Sequence, residues 1–487
     1  MLKKIWRIST LKYLAAFLIP AIFVLLINQG LDNDSWDVIA EGREIARNGL
    51  YYTDMLSMHD DLSVTVQNYG FAVIFYYMFS LMGGAGIYFV MLVLNLVVCY
   101  LIYKICMLIS GKNVNMSLLL MMVTDLILAL GFVTTRAQMV SYVLFLLLIY
   151  VLELYIKYDK ARYLWWIPLL SVLQINLHAS LWWMLIFVLM VYIVDSIKRP
   201  RLHLQGYRTK PLLMVGVLTL LAGLINPYGI GMITFIFSSY GDARFHSMVA
   251  ELSSFSPLRG VMEAFIYIAI VVVMCLYIFG EKKDIRVRYL LLFFGLLALG
   301  LNTIKGMSQF ILVMFFPLAL LYKDVHLEKV VVARKSRNAL IFWLGIVSTA
   351  IFVVACPMVV TQVKDDPREA LVEAVNAIDD NEDSAKEELK IYAGYNDGGY
   401  LEYRGYKPYL DPIGEVFLKK NNKKEDILYE WDDFNNGRIK VEEFLDKYHF
   451  DYLLVVGEKD PLYALDIEYY KKIFEDEEQE IKVFERI

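Results

Sequence analysis

Apolar runs, many of about twenty residues and so long enough for a helix to cross a bilayer, recur along the first 361 residues and then stop. They fall at 11–29, 85–107, 115–133, 138–156, 163–176, 180–195, 211–225, 260–279, 288–302, 307–322 and 338–360. Lipid offers backbone N–H and C=O groups no partners, so each run is expected to be helical. Between them lie basic clusters: Lys3, Lys4 and Arg7; Lys104 and Lys112; Lys157, Lys160 and Arg162; Lys198, Arg199, Arg201 and Arg208; Lys282, Lys283, Arg286 and Arg288; and Lys323, Lys329, Arg334, Lys335 and Arg337. The positive-inside bias assigns all of these to one, cytoplasmic, side. About eleven crossings, an odd number, then leave the N-terminus inside and everything after residue 360 outside.

The apolar run 68–82 must not cross if that parity holds. Phe71, Ile74, Tyr77 and Met78, with Gly83-Gly84 behind them, suit a helix lying in the outer interface. Residues 1–27 open with basic residues before an apolar run, as a signal peptide does, but Ala21-Ile22-Phe23 continues apolar without a small-residue cleavage site. The segment is expected to be a retained first helix.

The pattern changes after residue 361. Segments 367–377 and 441–448 have helical periodicity, while 390–393, 452–456 and 481–484 are β-branched or aromatic runs bounded by turn residues. Acids at 379–383 read as a solvated loop. The expected architecture is a polytopic α-helical membrane domain, residues 1–361 with a first outer loop at 30–84, followed by a small extracytoplasmic α/β domain, residues 362–487.

Composition sharpens this division. The chain has 487 residues, 58% of them hydrophobic, and a net charge of −5. Residues 362–487 carry 18 Lys and Arg against 33 Asp and Glu, and the preceding residues 29 against 19. Cys99, Cys106, Cys275 and Cys356 all lie within apolar runs, where cysteine acts as a small hydrophobe, and no CxxC or zinc spacing occurs. Nothing in the sequence points to nucleic acid.

Polar residues at the outer ends of the spans need a reason to be there. They include Asp32, Asp34, Asp37, Asp54, Arg136, Gln138, Asn176, His178, Asn226, Tyr228, Arg244, Glu251, Arg259, Asn302 and Lys305. Arg136 and Lys305 run against the charge bias and invite a phosphate partner. Transfer of a sugar from a lipid phosphate needs a carboxylate to accept the acceptor's proton, and positive charge or a metal for the departing phosphate. Asp34 is the first choice for that base. Asp32, Asp34 and Asp54 could share a divalent ion, Mg or Mn. Each residue also has a plainer reading: Asp32 or Asp34 as a helix cap, Asp54 as a turn, Arg136 as a snorkelling anchor, His178 as a packing residue, and Asn226-Pro227-Tyr228-Gly229 as a turn. Asp125, alone in an apolar run, reads first as a buried hydrogen-bonded carboxyl. The Asn396-Asp397-Gly398-Gly399 stretch reads as a tight turn before it reads as a ligand cradle.

Several segments together resemble a group of large bacterial membrane proteins related to the glycosyltransferase C superfamily, which includes the polyprenyl- and dolichyl-phosphate-sugar mannosyltransferases. The segments are Asp34-Ser35-Trp36-Asp37-Val38, Ala40-Glu41-Gly42, Gly49, Asp54, Ser57, and Tyr69-Gly70 leading to Gly83-Gly84. Further matches are Arg136, Asn176-Leu177-His178, Asn226-Pro227-Tyr228-Gly229, Glu251, Pro257, Lys305 in place of an Arg, Tyr395 to Tyr400, and Leu410-Asp411-Pro412. Two positions depart: Val38 replaces the group's His, and Ile413 its Arg. The resemblance implies an integral-membrane glycosyltransferase with a polyprenyl-phosphate-linked donor and a glycan, lipid or protein acceptor on the outer face of the bacterial plasma membrane. It also implies an outer-loop Asp near the chemistry and a C-terminal domain that helps bind acceptor. Taken with the reading of the polar residues, the expected catalytic residues are Asp34 and Asp54, and the expected substrate-binding residues Asp32, Trp36, Arg136, His178, Glu251, Lys305, Tyr400 and Asp411. The rival expectations are a transporter or flippase of a lipid-linked glycan, and an inactive envelope scaffold.

Overall fold

The computed structural model describes residues 2–27, 30–197, 207–239, 242–256, 260–279, 286–323, 369–381, 384–464 and 468–487. The expected span at 338–360, the basic positions 198–201, 282–283 and 329–337, Pro257, Arg259 and the start of the expected helix at 367 lie outside the described residues. The chain divides into two compact units: Met1–Gln29, Tyr88–Gly229 and Ala243–Gln362 in one, and Gly30–Ile87, Ile230–Asp242 and Val363–Ile487 in the other. The first-loop residues thus fall in the same unit as the C-terminal residues.

The first unit is helical. It contains α1 (Leu2–Ile27) and most of a long helix, Gly84–Ile109. Among the described residues, four helical stretches are long and apolar enough to cross a membrane: Gly84–Ile109, Gln138–Tyr158, Ala179–Ser196 and Ile304–Leu321. Shorter apolar helices include Val114–Ala129, Thr209–Ala222 and Val287–Asn302. The buried Arg288 is matched by two acids. Arg288 donates through Nε to Glu153 at 2.7 Å and through Nη1 to Asp195 at 3.1 Å, so neither its guanidinium nor the two carboxylates is stranded in a dry interior. Asp125 accepts from Asn95 Nδ2 at 3.3 Å, both residues fully buried.

The second unit is built on α2 (Asn33–Asn48) and α3 (Tyr69–Met82). α2 begins where it does because Asp32 holds its open end: Asp32 Oδ1 accepts from Ser35 N at 2.9 Å and from Ser35 Oγ at 2.5 Å. Its buried run, Ser35 to Gly42, carries two acids, Asp37 and Glu41, one turn apart. α3 packs on α2 at Gly42, where a Cβ would stand 2.1 Å from Ala72 O and 2.8 Å from Tyr76 Cβ. Backbone of α3 cannot yield as a flexible side chain would, so Gly42→Ala is expected to cost about 2 kcal/mol by overpacking. A thermal melt of the purified protein followed by intrinsic fluorescence checks this.

The C-terminal residues form a five-stranded mixed sheet in the order β2-β1-β3-β5-β4, with β1 Lys390–Tyr392, β2 Lys407–Pro408, β3 Tyr452–Val456, β4 Tyr470–Asp476 and β5 Ile481–Arg486. β1 runs parallel to β2 and β3, whereas β5 pairs antiparallel with β3 and β4. The central strand β3, Tyr-Leu-Leu-Val-Val, reads as a continuous apolar run because both its faces are covered. The edge strand β4 instead exposes Lys471 and Lys472, which blunts it against further pairing. Helix Glu369–Asn381 packs on β4 and β5. Tyr392, Tyr409, Phe434, Phe444 and Phe450 meet ring to ring, with centroids 4.1 to 6.3 Å apart.

Candidate functional site

Four acids meet inside the second unit. Asp37 and Glu41 come from α2, Glu402 from the short helix Gly398–Tyr403, and Asp411 from the loop after β2. One carboxylate oxygen each of Asp37, Glu402 and Asp411 lies within 4.8 Å of the other two, and all three residues are buried. Two glycines make the approach possible. A Cβ on Gly399 would stand 2.4 Å from Asn33 O, and one on Gly398 would stand 1.9 Å from Leu410 O. Gly399 N also donates to Asn33 Oδ1 at 2.9 Å. The short helix is thereby seated between the start of α2 and the Leu410-Asp411 backbone.

The electrostatics of this cluster are unusual. Asp37 Oδ1, Glu41 Oε2 and both oxygens of Glu402 are buried with no hydrogen-bond partner among the described residues. Arg43, on the same helix, does not neutralise them: its Nη1 donates to Tyr403 O at 2.6 Å, its Nη2 to Glu402 O at 2.8 Å, and its Nε to Glu44. Burial and then the charges of Glu41 and Asp411 hold Asp37 well above the usual carboxylate range. Burial, Asp411 and Asp54 push Glu41 up to about 8, and burial with Asp54 pushes Asp411 up to about 8. Glu402 is likewise raised, by burial, Asp411 and Asp37. A buried carboxylate without a donor or counter-ion is costly, so these acids must hold protons or a cation. An all-oxygen donor set of this kind suits a hard divalent ion.

The other sequence-selected residues stand as follows. Asp32 caps α2. Asp34 lies in the first turn of that helix and is partly exposed. Asp54 folds into a turn, accepting from Leu56 N and Ser57 N at 3.2 Å and also from Ser57 Oγ. Trp36 is 1% exposed, its ring packed against Tyr400 and Tyr403 with centroids 5.3 and 4.8 Å away; Tyr400 is equally buried. Asp411 belongs to the acid cluster. In the first unit, Arg136 is ion-paired with Glu251. Lys305 sits in the first turn of helix Ile304–Val313, capped by Thr303. His178 has both ring nitrogens held, Nδ1 with Ser141 Oγ at 2.7 Å and Nε2 with Ser180 Oγ at 2.9 Å. Asn226 Oδ1 accepts from Tyr228 N at 2.9 Å, which makes that stretch a turn. Glu402 was not selected from sequence. Its Tyr-Leu-Glu-Tyr setting has no motif, although an acid amid buried residues is itself a signal. Asp37 and Glu41, spaced i, i+4 in the buried run of α2, carry the same signal.

No family model matches the sequence, and no curated protein matches it. Among solved structures, the chain is similar to the crystal structure of the Archaeoglobus fulgidus oligosaccharyltransferase tethered to an acceptor peptide containing the NVT sequon via a disulfide bond. The TM-score is 0.58 at 10% identity, over 93% of this chain and 69% of that one. At this identity the likeness is one of fold alone. A second crystal structure of the same enzyme, in complex with Zn and sulfate, aligns with a TM-score of 0.43 at 9% identity, over 91% of this chain and 68% of that one. With its apolar helices and this fold, the chain is a multi-pass membrane protein.

Proposed function

We propose that the protein is an inverting glycosyltransferase of the bacterial plasma membrane, moving a sugar from a polyprenyl-phosphate-linked donor to a cell-envelope acceptor on the outer face. The observation that carries this reading is a fold shared over 93% of the chain with an oligosaccharyltransferase. The partly exposed Asp34, placed just past the end of α1, is a second support. In the reaction, the acceptor hydroxyl oxygen bonds to the anomeric carbon as the bond from that carbon to the phosphate oxygen breaks. Asp34 takes the hydroxyl proton, and the polyprenyl phosphate departs with the electron pair. That departing phosphate also calls for positive charge. The topology that serves this chemistry has about eleven crossings, a cytoplasmic N-terminus and an extracytoplasmic C-terminal domain.

Profiling lipid-linked intermediates and envelope glycans in cells with and without the gene tests the proposal. The expected result is accumulation of one polyprenyl-phosphate sugar together with loss of one glycan residue. Intact glycan retained on the inner leaflet would replace the transferase with a flippase. An unchanged profile would leave the envelope scaffold.

A further inference from the structure

We propose that Asp37, Glu402 and Asp411 hold a hard divalent cation that ties α2 to the C-terminal α/β fold. The site is distinct from Asp34 and does not depend on the transferase reading.

Three observations converge on it. The first is geometry: three carboxylate oxygens from three separate segments lie within 4.8 Å of one another. Hard cations bind oxygens at about 2.0–2.6 Å, so ligands on opposite or adjacent corners of one coordination shell span such separations. The second is the state of the donors. Asp37 Oδ1 and both oxygens of Glu402 lack any hydrogen-bond partner among the described residues, and so does Oε2 of the adjoining Glu41. Asp37, Glu41 and Glu402 are at most 3% exposed. Native interiors rarely leave such atoms unsatisfied, and a bound ion is one standard way of satisfying them.

The third observation is that none of Asp37, Glu41, Glu402 and Asp411 is ion-paired with a basic side chain among the described residues. Arg43 directs its guanidinium to the carbonyls of Glu402 and Tyr403 and to Glu44. Ile413, next to Asp411, contributes only its backbone N–H, donated to Asp411 Oδ1 at 2.6 Å. Asp37 comes from the first loop, while Glu402 and Asp411 are more than 360 positions further along. A cation here would therefore close a very long loop of chain, where a metal clip has most to contribute.

The experiment uses the full-length protein in detergent, stripped with EDTA and exchanged into chelator-free buffer. Ca2+, Mg2+ and Mn2+ are titrated separately. Binding is read by calorimetry, with Mn2+ also followed by its EPR signal, and stability by fluorescence-detected melting. The expected result is about one ion per chain with a rise of several degrees in melting temperature. Asp37→Asn and Asp411→Asn should each weaken binding by about tenfold or more, since affinity follows ligand charge. Asp60→Asn, at an exposed acid, should not. Glu402→Gln, which keeps the side chain's shape, serves if either aspartate variant fails to fold. No binding of any of the three ions at millimolar concentration overturns the proposal, as does undiminished binding in the Asp37, Asp411 or Glu402 variants.

Discussion

Asp34→Asn is expected to lower sugar transfer from a lipid-linked donor by about 10²–10⁴-fold, the range ascribed to a general base, while leaving protein level and melting temperature unchanged. Asparagine has the same shape and keeps an oxygen at the start of α2, but it cannot accept the proton of an acceptor hydroxyl. The neighbouring acid provides the contrast. Asp32 already accepts from Ser35 N and Oγ, so Asp32→Ala should show first as a loss of about 1 kcal/mol in stability. Asp32→Asn, which can still cap, should retain most of that stability. Transfer assayed in membranes with a labelled lipid-linked sugar checks the set. Wild-type rates in Asp34→Asn membranes would remove Asp34 from the mechanism.

The contrast between neighbouring acids shows which features a sequence exposes. Local ones were legible. Asp32 or Asp34 reads as the cap of the helix near Trp36, and Asp32 is the one that caps it; the helix at Val441–Tyr448 and the strand at Tyr452–Val456 follow their periodicity, and the apolar runs at 138–156 and 288–302 become helices Gln138–Tyr158 and Val287–Asn302. The strand Tyr470–Asp476 escaped because an edge strand with exposed lysines has no apolar alternation to read. What could not be read was any arrangement set by distant backbone. That Tyr400 and Tyr403 pack on the ring of Trp36 has no local signal in the sequence. Asp37 and Glu41 look like two acids on a helix until Glu402 and Asp411 join them inside the same unit.

Gly398-Gly399 is where that hidden arrangement can be tested most severely. The Asn-Asp-Gly-Gly stretch reads as a turn, yet the two glycines open a helix, and each faces a different backbone. Gly399→Val is expected to cost more than about 3 kcal/mol, above the usual range for overpacking. Even a Cβ at that position would stand 2.4 Å from Asn33 O and 3.2 Å from Asp37 N. Neither atom can turn aside as a side chain can, so α2 or the helix Gly398–Tyr403 must move. Such movement would carry Glu402 away from Asp37 and take Tyr400 off Trp36. Gly405→Ala makes the control, because no atom lies within 4 Å of a Cβ there, although its φ of +91° adds a strain of about 1 kcal/mol. Limited proteolysis and melting of the two variants should then separate widely, with Gly399→Val cleaved within the 30–87 or 363–487 segments under conditions that leave Gly405→Ala intact. Equal resistance in both would mean that the close approach of these backbones is not what holds the acids together.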